Sequence, residues 1–360
     1  MMTVLAHGAA GLVIMDTMDG VEVGPFTVSR LCLGTMLMGT KTPVREAHAM
    51  LDAFIEAGHN FIDTADVYGD GLAEEILRPW LARHRDEVVV ATKVRFRASD
   101  PGGEGLAPDR IAKACDASLR RMGTDVIDLY EVHAPDPDVP LEDTLEALDG
   151  LVRAGKVRAL GASNYPAWLL AWAVRTQDCH GWAPFDVLQA QYSLVERSVE
   201  VELLPFCRSA GIPLTPWGPL GGGFLTGRHG RGVVPPAGSR VAEAADDVEE
   251  AAQRRATERN FQAIDELRAV ANECGASVPQ VAIAWLLNQP GVAAPIIGPR
   301  TLEQLRDLLA AASLSLSADQ LRRLGAHTAP PEIYPHRFLA EQNHINPEQP
   351  LRRAGNPVSP

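Results

Sequence analysis

The sequence has little of what marks membrane, secreted or nucleic-acid-binding proteins. No apolar run in its 360 residues reaches the ~18 to 20 residues of a membrane-spanning helix. The segment 1–20 lacks the basic stretch that opens a secretory signal peptide, so we expect a loose extension there. Lysine and arginine number 33 against 46 acidic residues, a net charge of −13. Because non-specific nucleic-acid binding depends on basic residues that neutralise phosphates, this charge disfavours it.

Cysteine pairs are also missing. The five cysteines are odd in number, widely scattered and contain no C-x-x-C spacing, which is typical of zinc and redox sites. Cys179 and His180 are adjacent, but neighbouring residues rarely supply two ligands to one metal, and no second pair follows. We therefore expect reduced thiols, a cytoplasmic protein and no metal site.

A third absence is the G-x-G-x-x-G fingerprint of doubly wound dinucleotide-binding folds. The run P-L-G-G-G-F-L-T-G places Thr226 where a fingerprint that starts at Gly221 needs its last glycine. The run is therefore either a flexible loop or part of a different ligand site.

The chain does contain a regular alternation of short apolar runs and amphipathic segments. Its 46% hydrophobic and 22% charged residues are typical of a globular protein with a sizeable core. The run V-E-V-G-P-F-T-V predicts a hairpin near 21–28. Strands are then expected at 30–36, 61–63, 88–92, 126–132, 157–164, 187–192, 212–217 and 293–298. Helices are expected near 44–57, 72–84, 108–121, 141–153, 166–177, 199–209 and 301–311.

This alternation predicts an α/β fold with a parallel sheet. Eight such units close most naturally into a (β/α)8 TIM barrel, with the N-terminal β-hairpin at the end opposite the site. We expect one barrel domain over 21–328 and an irregular or partly disordered tail over 329–360. Two connections, 94–107 and 218–247, are longer than the fold needs, which predicts a loop that overhangs the site and a lid or ligand clamp.

Three successive predicted strands end in polar side chains. F-I-D-T-A-D-V-Y-G carries Asp63 at a strand end and Tyr68 five residues later, V-V-V-A-T-K ends in Lys93, and D-L-Y-E-V-H ends in His133. Taken singly, each is as well explained by a cap, a solvated strand end or a satisfied core residue. Because catalytic residues collect at the carboxyl ends of barrel strands, the recurrence favours a catalytic site.

The residue types favour acid–base chemistry. A tyrosine has an unperturbed pKa of about 10, so a proton donor near neutrality needs a cation that favours the phenolate. Lys93 would lower the pKa of Tyr68, and Asp63 would orient the ammonium group and keep it charged. A neutral His133 would hydrogen-bond a substrate oxygen beside the phenol.

These motifs resemble the aldo-keto reductases. D-T-A-D-V-Y-G, A-T-K and D-L-Y-E-V-H match the family pattern in order, and the similarity runs over about 21–324. The family's catalytic tetrad carries over to Asp63, Tyr68, Lys93 and His133. The resemblance implies NADPH-dependent reduction of an aldehyde or ketone, with hydride from the nicotinamide and a proton from Tyr68.

The resemblance also implies that NADP(H) lies extended across the barrel mouth. The cofactor-binding residues that it implies are Ser163, Asn164, Gln191, Trp217, Leu220, Gly222, Gly298, Arg300 and Gln304. Ser163, Asn164 and Gln191 would hydrogen-bond the carboxamide, and Trp217 would stack on the nicotinamide.

The remaining cofactor residues would serve the phosphates and the adenosine. Leu220 and Gly222 would lie against the pyrophosphate, and Gln304 would face the adenosine. Arg300 precedes a helix that Thr301 is expected to cap, and a fork of donors beside a helix N-terminus suits a 2′-phosphate.

The sequence departs from the family pattern in two places. Trp217 and Gly218 stand where many relatives carry tyrosine and serine, which keeps the stacking group and removes a hydroxyl. Leu308 stands where relatives often have an asparagine that contacts adenine. Both changes bear on cofactor affinity and on the preference for NADP over NAD.

The substrate is expected to be a small-molecule carbonyl. An apolar wall is suggested by Met36, Met38, Phe96 and Trp217. Arg95 and Arg97 would attract an anionic or polyhydroxyl group, although either set can simply face solvent. Two other functions stay open: a cofactor-sensing regulatory subunit like the potassium-channel β subunits, and a sugar-binding barrel without catalysis. The sequence leaves the oligomeric state open.

Overall fold

Ten strands form two sheets in the part of the chain that the computed structural model describes, residues 20–96, 103–234, 242 and 252–341. The strands are β1 Val21–Val23, β2 Phe26–Val28, β3 Cys32–Gly34, β4 Phe61–Asp63, β5 Val89–Val94, β6 Ile127–Val132, β7 Val157–Ser163, β8 Phe185–Gln191, β9 Leu214–Trp217 and β10 Ile296–Ile297. β1 and β2 pair antiparallel, and the other eight are parallel in the order β10-β3-β4-β5-β6-β7-β8-β9. The predicted (β/α)8 barrel and hairpin are confirmed.

A short bridge brings the first and last strands of the barrel sheet together. Leu214 of β9 donates its backbone N–H to Gly291 O at 2.9 Å and accepts from Ala293 N at 2.8 Å, just before β10. β10 in turn pairs with β3. The parallel sheet therefore forms a nearly closed ring.

Twelve helices accompany the strands within the described ranges. They are α1 Val44–Glu56, α2 Leu72–His84, α3 Pro108–Met122, α4 Leu141–Arg153, α5 Ala167–His180, α6 Leu203–Ala210, α7 Ala252–Arg255, α8 Glu258–Cys274, α9 Val278–Leu287, α10 Leu302–Leu309, α11 Ala318–Ala326 and α12 His336–Glu341. Short 3-10 segments lie at Arg85–Glu87, Ser198–Glu200, Gly221–Thr226 and Ala310–Ser313. The outward side chains of the barrel strands pack against these helices in the larger hydrophobic core.

The barrel interior changes from apolar to polar along the strands. Alternate residues of a strand share one face, so Val89, Ala91 and Lys93 of β5 all point inward. The first two belong to an apolar interior cluster that also contains Val23 and Val28 of the hairpin. The hairpin thus covers the amino ends of the strands, and the polar side chains gather at the carboxyl ends.

Several elements differ from their predicted bounds. α6 begins at Leu203 instead of 199, because a 3-10 turn at Ser198–Glu200 precedes it. α7, α8 and α9 lie in the connection between β9 and β10 and were not predicted, and neither was α11. The tail contains α12, where irregular packing was expected. The part of the predicted lid at 235–241 and 243–247 lies outside the described residues, as do 1–19 and 342–360.

Candidate active site

Lys93 is the centre of the polar cluster at the barrel mouth. Its side chain is fully buried, and Nζ donates to Asp63 Oδ1 at 2.5 Å and to Thr64 O at 2.8 Å. A third, longer contact joins Nζ to Tyr68 Oη at 3.4 Å. β4, the loop after it and β5 therefore bring three of the four predicted catalytic residues into contact.

His133, the fourth residue, lies directly after β6 and faces the phenol. The His133 and Tyr68 rings lie edge to face, with centroids 5.9 Å apart, and its other side contacts the Phe96 ring at 4.8 Å. Burial and then Lys93 lower the pKa of His133 to about 3. Its imidazole is therefore neutral at physiological pH, the state in which a hydrogen bond to a substrate oxygen was expected, and Nδ1 has no hydrogen-bond partner among the described residues.

The protonation of Tyr68 differs from the expectation. Burial raises the pKa of Tyr68 to about 12, and the opposing effect of Lys93 does not outweigh it. The predicted lowering by Lys93 is present, but a net lowering is wrong, because the phenolate loses more hydration than one ammonium group returns. The phenol keeps its proton near neutrality, which is the state that a proton donor needs.

Lys93 keeps its charge in spite of its burial. Burial lowers the pKa of Lys93, but Asp63, Tyr68 and Glu131 together raise it above its ordinary value. This is the role that the sequence analysis assigned to Asp63.

Two further polar residues of the cluster were not predicted. Gln189 Nε2 donates to Asp63 Oδ1 at 2.9 Å and to Glu131 Oε2 at 2.8 Å. Gln189 and Glu131 are 4% and 0% exposed. The signal for both was their spacing: each lies two residues before a predicted site residue, Gln191 or His133, and so on the same strand face.

Asn164 joins the catalytic residues to the predicted nicotinamide site. Its Nδ2 donates to His133 O at 2.9 Å and to Ser163 Oγ at 3.0 Å, and its Oδ1 accepts from Trp217 Nε1 at 3.0 Å. Asn164 has a φ of 57°, which lets the chain turn sharply after β7. Ser163 is fully buried and Asn164 is exposed, so a ligand at the mouth meets Asn164 first.

The end of β8 and the turn after β9 contain predicted cofactor-binding residues. Gln191 Nε2 is buried and has no hydrogen-bond partner among the described residues, so a donor is free for a ligand. Gly222 and Gly223 have φ values of 66° and 101°, and a side chain added at Gly223 would meet nothing within 4 Å. Open backbone of this kind allows close approach of a phosphate. Leu220, also predicted, begins this turn and is partly buried.

The other end of the predicted cofactor site lies between β10 and α10. Thr301 caps α10 by accepting from Gln304 N, as predicted. Gln304 Oε1 accepts from Arg300 N at 2.8 Å, so this side chain folds back over the start of the helix. Gly298 is exposed, and a side chain there would meet nothing within 4 Å.

Several side chains suggested for the substrate or cofactor are engaged elsewhere. Met38 and Leu308 are buried in the larger hydrophobic core. Because leucine has no polar side-chain atom, Leu308 offers adenine no hydrogen bond. Arg95 is paired with Glu104 at 3.0 Å and with Asp136 at 3.6 Å, which compensates the charge proposed to attract an anion. Phe96 is 37% exposed and Trp217 is partly buried, so both can contact a ligand at the mouth.

The remaining predictions concern Arg97, membrane-spanning helices, metal ligands and the cysteines. Arg97 is one of the residues that the structure does not describe. Within the described ranges, no helix is long and apolar enough to cross a bilayer, and no cluster of three potential metal ligands is found. All five cysteines are free thiols.

Known proteins resemble this chain over most of its length. The family model described as "Aldo/keto reductase family" matches residues 30–329. An uncharacterized oxidoreductase, YrpG, of Bacillus subtilis is 38% identical over 82% of this chain and 91% of its own length. A probable voltage-gated potassium channel subunit beta of rice is 35% identical over 77% of this chain and 85% of its own. Norsolorinic acid reductase stcV of Emericella nidulans is 32% identical over 94% and 86%. The chain therefore belongs to the aldo/keto reductase family of oxidoreductases.

Proposed function

We propose that this protein is an NADPH-dependent reductase of aldehydes or ketones. The observation that carries the proposal is the contact of one buried ammonium group, Lys93 Nζ, with both Asp63 and the hydroxyl of Tyr68. A protonated phenol beside a fixed positive charge and a neutral imidazole is an arrangement suited to protonating a developing alkoxide.

In this proposal the carbonyl oxygen binds between Tyr68 and His133. The nicotinamide supplies the hydride when it is bound. His133, which is neutral, orients the oxygen by a hydrogen bond. Tyr68 gives its proton to that oxygen, and Lys93 stabilises the phenolate that is left. Asp63 keeps Lys93 charged and pointed at the phenol through its hydrogen bond.

The cofactor would be held by the residues that the family resemblance implies. Asn164 and Gln191 would bind the carboxamide, with Ser163 behind Asn164, and Trp217 would stack on the nicotinamide. Leu220 and Gly222 would border the pyrophosphate. Gly298, Arg300 and Gln304 would accept the adenosine and its 2′-phosphate. The indole of Trp217 already contacts Asn164, so both groups lie on the same side of the mouth.

NADPH oxidation with a panel of aldehydes and ketones tests the proposal. We expect turnover with at least one class of carbonyl compound. The class that is turned over identifies the type of substrate. A protein that binds NADPH and oxidises it with no member of the panel contradicts the reductase proposal. The cytoplasmic location and the boundaries 21–328 of the barrel domain stay predictions.

A second candidate is a cofactor-sensing regulatory subunit. The observation that favours it is the 35% identity to the probable channel subunit of rice. It shares cofactor binding with the first candidate, and multiple turnovers distinguish the two. Cofactor binding without turnover would favour the regulatory role.

A further inference from the structure

Glu131 is a buried acidic side chain for which the proposed mechanism has no role. It lies on β6 inside the barrel, is 0% exposed, and pairs in register with Lys93 of β5 and Gly161 of β7. A side chain at Gly161 would come within 2.8 Å of Glu131 Cγ. The glycine therefore provides the room that the carboxyl group occupies.

Gln189 connects this carboxyl group to the catalytic residues. Its Nε2 has two hydrogens, and both are used: one goes to Glu131 Oε2 at 2.8 Å and one to Asp63 Oδ1 at 2.9 Å. The same Asp63 oxygen accepts from Lys93 Nζ at 2.5 Å. Glu131 thus fixes the amide that orients the partner of Lys93.

We propose that Glu131 is a positioning residue of this active site, which acts through Gln189 to hold Asp63 against Lys93 beneath Tyr68. The inference rests on the proposed function, since positioning is defined here by the reaction of Tyr68. Glu131 itself touches neither Tyr68 nor the carbonyl site in the contacts described above.

The charge of Glu131 matters as well as its position. The groups that face it are Cys32 on β3, Asp63 on β4, Tyr68 in the loop after β4, and Lys93 on β5. The neutral His133 follows directly after β6, the strand of Glu131. Asp63 and Lys93 already balance one another. Burial raises the pKa of Glu131 to about 8, with Lys93 opposing and Asp63 adding to the rise.

Hydrogen bonding agrees with a neutral Glu131 at pH 7. A buried carboxylate needs several donors, whereas Glu131 Oε1 has no partner among the described residues. When Glu131 ionises, its negative charge raises the pKa of Tyr68 and weakens the phenol as an acid. Reduction should therefore slow as the pH rises through about 8.

Single-turnover hydride transfer at several pH values tests the inference. Glu131→Leu should slow the reaction at pH 7 about tenfold, the scale of a lost orienting hydrogen bond, with the Kd for NADPH within about twofold. Glu131→Gln keeps an acceptor for Gln189 and should restore most of the rate. It should also abolish the decline near pH 8.

Glu74→Gln is the matched control. Glu74 is also 0% exposed, but it accepts from Thr92 and Arg121 on the outside of the barrel, so the decline near pH 8 should persist in this variant. A Glu131→Gln protein with the parent's pH profile would overturn the inference, as would a folded Glu131→Leu protein with the parent's rate. If Glu131→Leu does not fold, Glu131→Gln still decides.

A measurement without substrate separates this inference from the reductase proposal. The side-chain amide NMR signal of Gln189, assigned with Gln189→Leu, should titrate near pH 8 in the parent and stay flat in Glu131→Gln. A flat parent signal overturns the role of Glu131 alone. A parent that binds NADPH but reduces no carbonyl, while the amide signal titrates, contradicts the reductase proposal instead.

Discussion

At the scale of single residues, the site depends on one buried cation. Lys93 is fully buried and makes three hydrogen bonds, to Asp63, Thr64 and Tyr68. A buried ammonium group without partners would lose its charge. The carboxylate of Asp63 and the carbonyl oxygen of Thr64 therefore help to keep Lys93 charged beside the phenol. The chemistry of Tyr68 should therefore fail when either Tyr68 or Lys93 is changed.

Tyr68→Phe should lower the rate of hydride transfer by about 10² to 10⁴, the usual effect of a positioned acid. The ring and its packing remain, so NADPH binding should survive. Lys93→Met should have a similar effect, and the double variant should be little worse than either single one, because lysine acts through tyrosine. Stopped-flow single turnovers measure all three.

Tyr334→Phe is the control for the loss of a phenol, since Tyr334 is 77% exposed and is not one of the residues proposed for the site. Its rate should match the parent. A Tyr68→Phe protein that binds NADPH and transfers hydride at the parent rate would exclude Tyr68 as the acid and favour His133.

Arg300→Ala should raise the KM for NADPH about 10- to 100-fold, because a charge-assisted bond of ~1.5 to 3 kcal/mol is lost. Because NADH lacks the 2′-phosphate, the KM for NADH should change little. Arg306→Ala is the matched control, because Arg306 is an exposed arginine on α10, and its KM values should not change. Equal losses for the two cofactors would exclude contact between Arg300 and the 2′-phosphate.

At the scale of elements, a capping box links two helices next to the proposed adenosine site. Ser277 and Gln280 cap α9 reciprocally, with Ser277 Oγ accepting from Gln280 N and Gln280 Oε1 accepting from Ser277 N. Both side chains also donate to Asp307 of α10, Ser277 Oγ at 2.9 Å and Gln280 Nε2 at 2.8 Å. The start of α9 therefore holds α10, which follows Arg300.

Ser277→Ala should reduce the free energy of unfolding by about 1 to 2 kcal/mol, since it removes an N-cap and the bond to Asp307. Ser317→Ala is the comparison. Ser317 caps α11 with the same box, and the hydrogen bonds described for its hydroxyl do not include a second helix. Urea denaturation should show the larger loss for Ser277→Ala. Equal losses would mean that the contact with α10 adds nothing.

At the scale of the whole molecule, the apolar interior cluster and the proposed catalytic residues lie at opposite ends of the barrel. The hairpin residues Val23 and Val28 pack with Cys32, Phe61 and Val89 in the apolar part of the interior. The polar residues lie at the carboxyl ends of the same strands. Packing at the base should therefore be separable from catalysis.

Val28→Ala should reduce the free energy of unfolding by about 1 to 3 kcal/mol through the cavity it leaves, while the rate of hydride transfer at 25 °C stays within about twofold of the parent. Thr27→Ala is the control on the same strand, because Thr27 is exposed and its hydroxyl donates to the exposed Glu22 at 2.7 Å. Denaturation and single-turnover assays together check this. A large loss of rate in folded Val28→Ala would show that the base affects the site.

The amino-acid sequence by itself determined the alternation of strands and helices, the hairpin, and the order Asp63, Tyr68, Lys93 and His133, because periodicity and strand ends are local properties. The helices after β9 were not predicted, although they also have local signals, such as the Ser277 capping box.

Only the tertiary structure decided which groups meet inside the barrel. Gln189 contacts Asp63 across 126 residues of chain, and Glu131 joins them because Gly161 on the neighbouring strand leaves room. The tertiary structure likewise decided the direction of the pKa shift of Tyr68, because burial exceeds the predicted effect of Lys93. Desolvation depends on every neighbour in three dimensions, and no spacing along the chain reports it.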